Sequence, residues 1–349
     1  MFMFGKNLKY YRLKKSMTKK MLANKTNLTP MAITNYEDGN RMPNMDIIKK
    51  LAKVLDVNVS DFLAIRNERL VFNHGEFRKN STLTNTQQEF VRESVEEYFS
   101  RFYSVVELLG GDVLPIAPNC HVIQISNDSE VNAKEMRIHL GLSEDGPIDD
   151  LIAILENKGI FVYVCDIKNS KFFGMNGFVN NRPYIIVNKN MSPERTRSTI
   201  AHELAHLLFK WPENMDKKDE EKIATSIAGA FLFPKIDAIR ELGLRRNKVT
   251  NDMAMVCREY GISMFLLAKR AQISKIISTD AERNFYIMAS SLGWKTDEPI
   301  RITSEEPTLF EQLVFRAVCE GDISIQRGAE LLKVPYEFVL LNCKFEEVD

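Results

Sequence analysis

Residues 199–209, TIAHELAHLLF, constrain this chain more than any other stretch. His202 and His206 are four apart, so a helix brings both imidazoles to one face about a turn apart, close enough to grip one tetrahedral ion. Glu203 sits beside the first, where a carboxylate reaches a water on such an ion rather than the ion itself. The helix has its own start signal in Ser192-Pro193-Glu194: an N-cap, a first-turn proline and an acid at the positive end. It is expected to run to about Trp211-Pro212. A catalytic zinc usually takes three protein ligands and leaves the fourth place to water, so a third donor is needed. The next predicted helix, from about Asp219 to Pro234, offers Asp219, Glu220 and Glu221, each turned roughly 100° from its neighbour. Geometry alone does not choose among them. Ala224, Ala228 and Gly229 on that helix would let its backbone lie close against the first.

The rest of the chain is mostly helical in pattern. The first 65 residues read as five short helices opened by Thr, Pro or Ser-type start signals, with Asn27 at a turn that favours a left-handed residue. Residues 68–85 are polar and aperiodic, a linker. From about Gln87 to Leu109, the spacing of Val91, Val95, Tyr98, Phe102, Val105 and Leu109 predicts a long amphipathic helix. The β signal is confined to GIFVYVCDI, KFFGMNGFV and RPYIIVNKN, and the last of these could offer an edge to an extended substrate. Residues 291–307 read as a second linker before a helical module at 308–345.

Charge and cysteine usage narrow the setting. Residues 1–66 carry 13 Lys/Arg against 5 Asp/Glu, a net +8 that the remainder of a neutral chain must balance. One end is suited to a polyanion. Five scattered cysteines without a CxxC pair fit a reduced, cytoplasmic location, and no run is long and apolar enough to suggest a membrane span.

Residues 129–234 resemble the ImmA/IrrE family of zinc metallopeptidases. The resemblance rests on ILENKGIFVYV, on RTRSTIAHELAHLL, and on a following helix of the form E-x-x-A-x-x-F-A-x-x-L-L-x-P. That helix is represented here by Glu221, Ala224, Ile227, Ala228, Phe231, Leu232 and Pro234, with Ile227 and Phe231 departing conservatively. It implies Zn2+ as cofactor, His202, His206 and Glu221 as ligands, and Glu203 as the catalytic base. Tyr184 and His139 are candidates for stabilising an oxyanion. His74 and His121 lack ligand-like spacing.

Residues 5–65 resemble the Xre/Cro-type helix-turn-helix family through MTKKMLANKTNLTPMAITNYEDGNRMPNMDIIKKLAKVLDV. With Thr29 capping the recognition helix, Pro30, Met31, Thr34 and Asn35 should face the major groove, where Asn can read adenine. Lys19, Asn40 and Arg41 are placed for phosphate.

The expected fold is mainly α and multidomain. It comprises an all-α helix-turn-helix domain (1–66), a linker and long helix (67–128), an α+β zincin-like peptidase domain with a small β-meander (129–290), and a helical C-terminal module (291–349). The expected function is a DNA-binding zinc endopeptidase that cleaves a transcriptional repressor, itself a helix-turn-helix protein, in a phage, mobile-element or stress circuit. Its partners would be a double-stranded DNA operator and that protein substrate, with a homodimer as a further expectation and no membrane. The competing reading is a DNA-binding regulator that uses the peptidase-like domain as a sensor or scaffold, or acts like an antitoxin. The intact Glu203 favours catalysis, because a scaffold has no use for a base.

Overall fold

The computed structural model describes residues 2–75, 83–169 and 171–344, so part of the 68–85 linker lies outside the described residues. The chain divides into two compact units, Met1–Leu114 with Phe310–Asp349, and Pro115–Leu309. It is mainly α, as the periodicity predicts.

In the first unit, helices α1 (Phe2–Lys14), α2 (Lys19–Thr26), α3 (Pro30–Glu37), α4 (Met45–Leu55) and α5 (Val59–Leu63) precede a short strand β1 (Phe72–His74) and the long α6 (Asn85–Leu108). Thr18 and Thr29 cap α2 and α3 by accepting from the Met21 and Ala32 amides, and Asn27 between them takes the left-handed conformation at φ 55°. These caps fix the tight turn between the two helices. Helix α1 begins at the very start of the chain, because Phe4, like Leu8, belongs to the core that Leu22, Ile33, Leu51 and Phe62 complete. Gly5 lets α1 touch the end of α3: a Cβ there would sit 2.3 Å from the Glu37 carbonyl oxygen. Buried Arg12 donates to the Glu37 carboxylate and to the Met17 carbonyl, which locks α1 to α3.

The second unit opens with β2 (Ile123–Gln124), α7 (Ser129–His139) and α8 (Leu151–Asn157), followed by β3 (Phe161–Cys165), β4 (Gly174–Val179) and β5 (Arg182–Asn188). Helix α9 (Pro193–Leu208) follows, then β6 (Phe209–Lys210), α10 (Lys217–Leu232), α11 (Lys235–Leu242), α12 (Met253–Tyr260), α13 (Met264–Ile273) and α14 (Thr279–Ser291). The three main strands do not form the meander read from sequence. β4 and β5 are an antiparallel hairpin, but β3 pairs with β5 in parallel, so β5 lies between them. The connection from β3 to β4 passes the end of β5, where the Asn188 amide donates to the Asn169 and Phe172 carbonyls and its oxygen accepts from Ile167. With both sides paired, RPYIIVN has no edge to offer a substrate, contrary to expectation.

Helix α9 lies on the sheet through Ile200 and Leu204, in one core with Val162, Ile185 and Val187, and packs against α10. Two buried arginines fix the far end of α10: Arg137 donates to the Phe231 carbonyl and Arg270 to that of Phe233, placing positive charge where the helix carbonyls are unpaired. Gly229 does not serve the α9 contact. A Cβ on it would meet Arg270 and Leu266 of α13.

The final helices, α15 (Leu309–Cys319), α16 (Ile325–Leu332) and α17 (Tyr336–Cys343), follow the second unit in sequence, and from Phe310 onward the chain belongs to the first unit. Lys333, left-handed at the end of α16, reaches Glu97 of α6 at 2.7 Å and lies over the Tyr10 ring of α1.

Candidate metal centre

The HExxH helix and the start of α10 bring His202, His206 and Glu221 together, with one ligand atom of each within 4.8 Å of the others. The two Nε2 atoms are 3.2 Å apart, and Glu221 Oε2 is 3.2 Å from that of His202. A tetrahedral ion with bonds of about 2.0–2.1 Å separates its ligand atoms by roughly 3.3 Å, which two of the separations match, while His206 Nε2 stands somewhat farther, 3.8 Å, from Glu221 Oε1.

The far ring nitrogens assign the near ones. Thr225 Oγ1 donates to the Glu221 carbonyl one turn back, so at 3.2 Å from His202 Nδ1 it accepts that proton. Glu220 Oε1 lies 3.0 Å from His206 Nδ1 and can only accept. Each ring therefore carries its proton on Nδ1 and turns the Nε2 lone pair towards the other and towards a carboxylate. Such an arrangement is repulsive unless a cation stands among the three groups. The surroundings of His206 favour positive charge in the same way. Burial alone would lower its pKa, yet the Glu220 hydrogen bond and the charges of Glu203, Glu221 and Glu220 outweigh burial and raise it.

The three consecutive acids thus separate cleanly. Glu221 faces the Nε2 atoms, Glu220 holds the back of His206, and Asp219 pairs with Lys222 at 2.9 Å on the surface. Sequence reading weighed Glu220 only as a rival ligand and missed Thr225 altogether. Glu203 is buried beside His202, and Asn176 Nδ2 of β4 donates to its Oε2 at 2.8 Å.

The remaining candidates fall elsewhere. Tyr184 is fully buried and pairs in register with Gly177, on the sheet face opposite Ile185 and α9, so it does not reach the centre. His139 Nε2 is engaged 2.8 Å from the Asn119 carbonyl. His121 Nδ1 lies 3.4 Å from the Phe209 carbonyl, and His74 Nε2 lies 3.5 Å from Glu96 in the other unit.

Of the residues assigned to DNA, Thr29, Pro30, Met31, Asn40 and Arg41 are exposed, Met31 at 67%. Thr34 and Asn35 are half-buried; the Thr34 hydroxyl bonds back to the Pro30 carbonyl, and the Asn35 carbonyl accepts from the Arg41 amide. Lys19 leans 3.6 Å from Glu37.

Comparison with known proteins agrees with this division. Residues 8–62 match the helix-turn-helix family, and residues 155–272 match the IrrE N-terminal-like domain. An uncharacterized HTH-type transcriptional regulator, YqaE of Bacillus subtilis, is 34% identical over 70 residues, which are 20% of this chain. The match spans 60% of that relative's length. The solved structure of Bacillus thuringiensis PlcR with the peptide PapR7 and DNA aligns over 97% of this chain and 95% of its own, at 11% identity and a TM-score of 0.19. Among the described residues, no helix is long and apolar enough to cross a membrane. The chain joins an N-terminal Xre-type helix-turn-helix domain to a metallopeptidase-like domain of the IrrE type.

Proposed function

We propose that this protein is a DNA-binding zinc endopeptidase that cleaves a transcriptional repressor and so relieves repression. The observation that carries the reading is the convergence of two Nε2 lone pairs and the Glu221 carboxylate beside a buried glutamate. His202, His206 and Glu221 would hold a zinc ion, which would supply a water of near-neutral pKa and polarise a peptide carbonyl. Glu203 accepts a proton at Oε1, the carboxylate oxygen that Asn176 does not hold, and hands it to the departing amine nitrogen. Thr225 and Glu220 keep both imidazoles in the tautomer that binding requires.

The helix-turn-helix domain, residues 1–66, contacts an operator through the exposed face of α3. Pro30, Met31, Thr34 and Asn35 approach bases, and Lys19, Asn40 and Arg41 approach phosphates. The net +8 of this segment supports the assignment. Tethering residues 129–290 near an operator raises their effective concentration against a repressor bound there.

The test combines metal analysis of the purified protein with incubation against helix-turn-helix repressors from the same genome, comparing wild type with Glu203→Gln. Zinc in both proteins and cleavage by the wild type alone is the expected result. Zinc in both with no repressor cut would favour the scaffold reading.

A further inference from the structure

The hydrogen bond from β4 to Glu203 belongs to no ligand and to no part of the hydrophobic core. Glu203 is 6% exposed, and the one hydrogen bond of its side chain among the described residues is from Asn176 Nδ2 to Oε2 at 2.8 Å. A carboxylate can only accept while ionised, so the amide nitrogen, not its oxygen, must face it. Asn176 also stands on a rigid element, since its strand is paired residue by residue with β5, Asn176 against Ile185.

The neighbouring sequence is shaped for this contact. Gly174 is two residues before Asn176, so both lie on the face of β4 that meets α9. A Cβ on Gly174 would come 2.6 Å from Thr199 Cγ2, 2.9 Å from the Ile186 oxygen and 3.4 Å from Glu203 Cγ. The bare glycine lets α9 settle close enough for the next side chain on that face to reach the carboxylate. Any larger residue would hold the helix and Glu203 off the strand.

We infer that Asn176 is a positioning residue for Glu203, holding one carboxylate oxygen so that the other is presented to the reacting proton. The inference rests on the hydrolytic reading above. It divides the labour between the two oxygens: Oε2 is committed to the strand, and Oε1 is left for proton transfer. A carboxylate without that anchor rotates about its last bond and spends less time in the productive orientation.

Acetohydroxamic acid tests this without knowledge of the natural substrate. When its two oxygens engage a zinc ion, its N-hydroxyl proton must pass to a nearby base, so its affinity reports whether Glu203 is correctly placed. Binding is measured by calorimetry on the zinc-loaded full chain for wild type, Glu203→Gln, Asn176→Ala and Asn176→Asp. Zinc affinity itself is measured by chelator competition. Asn176→Asp keeps the shape of the side chain and loses the donor, so it separates hydrogen bonding from packing. The expected result is unchanged zinc affinity throughout, loss of hydroxamate binding in Glu203→Gln, and about tenfold weaker binding in both Asn176 variants. Wild-type binding in both Asn176 variants while Glu203→Gln fails would overturn the inference and leave the hydrolytic reading standing. So would retention in Asn176→Asp with loss in Asn176→Ala, which would make the role one of packing. A zinc-loaded wild type that ignores the hydroxamate would remove the hydrolytic reading and this inference with it.

Discussion

Asp219, Glu220 and Glu221 form a graded series when each is changed to alanine in turn. On the proposed reading, Glu221 contributes a donor atom to the ion. If the roughly 10–16 kcal/mol of a four-ligand zinc site is shared among its ligands, one ligand is worth about 2.5–4 kcal/mol, or on the order of 10²–10³ in zinc affinity. Glu220 touches the His206 ring at Nδ1 from 3.0 Å, behind the nitrogen that would bind the ion. Removing such a partner typically costs roughly 10–100-fold. Asp219 is tied to Lys222 on an exposed turn, and a surface pair of that kind contributes about 0–1 kcal/mol to stability and nothing to the ion. The assay is competition with a chromophoric chelator at one fixed pH, run beside thermal melts with and without zinc. The order expected is Glu221→Ala weakest, Glu220→Ala intermediate and Asp219→Ala like wild type. A Glu221→Ala protein with wild-type affinity, or Asp219→Ala as the weakest of the three, would refute the assignment of roles along the first turn of α10.

Three other expectations follow from separate parts of the structure. Burial alone would raise the Glu97 pKa, but Arg101 and Lys333 hold it down to about 2, so its contribution is present above the ordinary carboxylate range and is lost as pH falls towards 2. Glu97→Gln should therefore lower urea stability at pH 7 by a few kcal/mol, with the gap to wild type closing in acid; a gap that widens in acid would contradict the sign. Gly174→Ala should lower the melting temperature by the equivalent of about 1–3 kcal/mol, although alanine in an open strand would stabilise; a rise would show that α9 is not seated against β4. In gel-shift titrations, Asn35→Ala should blur sequence preference, while Arg41→Ala should weaken binding to all sequences and reduce the salt slope by about 1. Unchanged binding in both would discredit the assigned DNA face.

The sequence was most informative where local rules and tertiary packing agree. The caps at Thr18 and Thr29, the proline start of α9 after Ser192, the left-handed Asn27 and the extent of α6 are set by neighbours a few residues away, and all can be read from one dimension. The pairing of His202 with His206 is likewise local, since a helix imposes it. The strand order was not legible, because β3, β4 and β5 carry similar apolar runs. What separates a meander from a β4-β5-β3 sheet is the Asn188 network between connections far apart in sequence. Asn176 and Thr225 were invisible for a related reason: an Asn in a strand and a Thr in a helix are common, and each matters here only for what stands across from it. Glu220 was visible as an acid in the right turn, but only the position of the His206 ring separates its task from that of Glu221.

A crystal of the full chain grown with zinc, with anomalous data collected on both sides of the zinc edge, addresses the main claim most directly. The account predicts one strong peak at about 2.0–2.2 Å from Nε2 of His202, Nε2 of His206 and a carboxylate oxygen of Glu221, with Glu203 beside it and not bonded to it. A peak ligated by Glu203 or Glu220 in place of Glu221, or no peak between the two imidazoles, would contradict it.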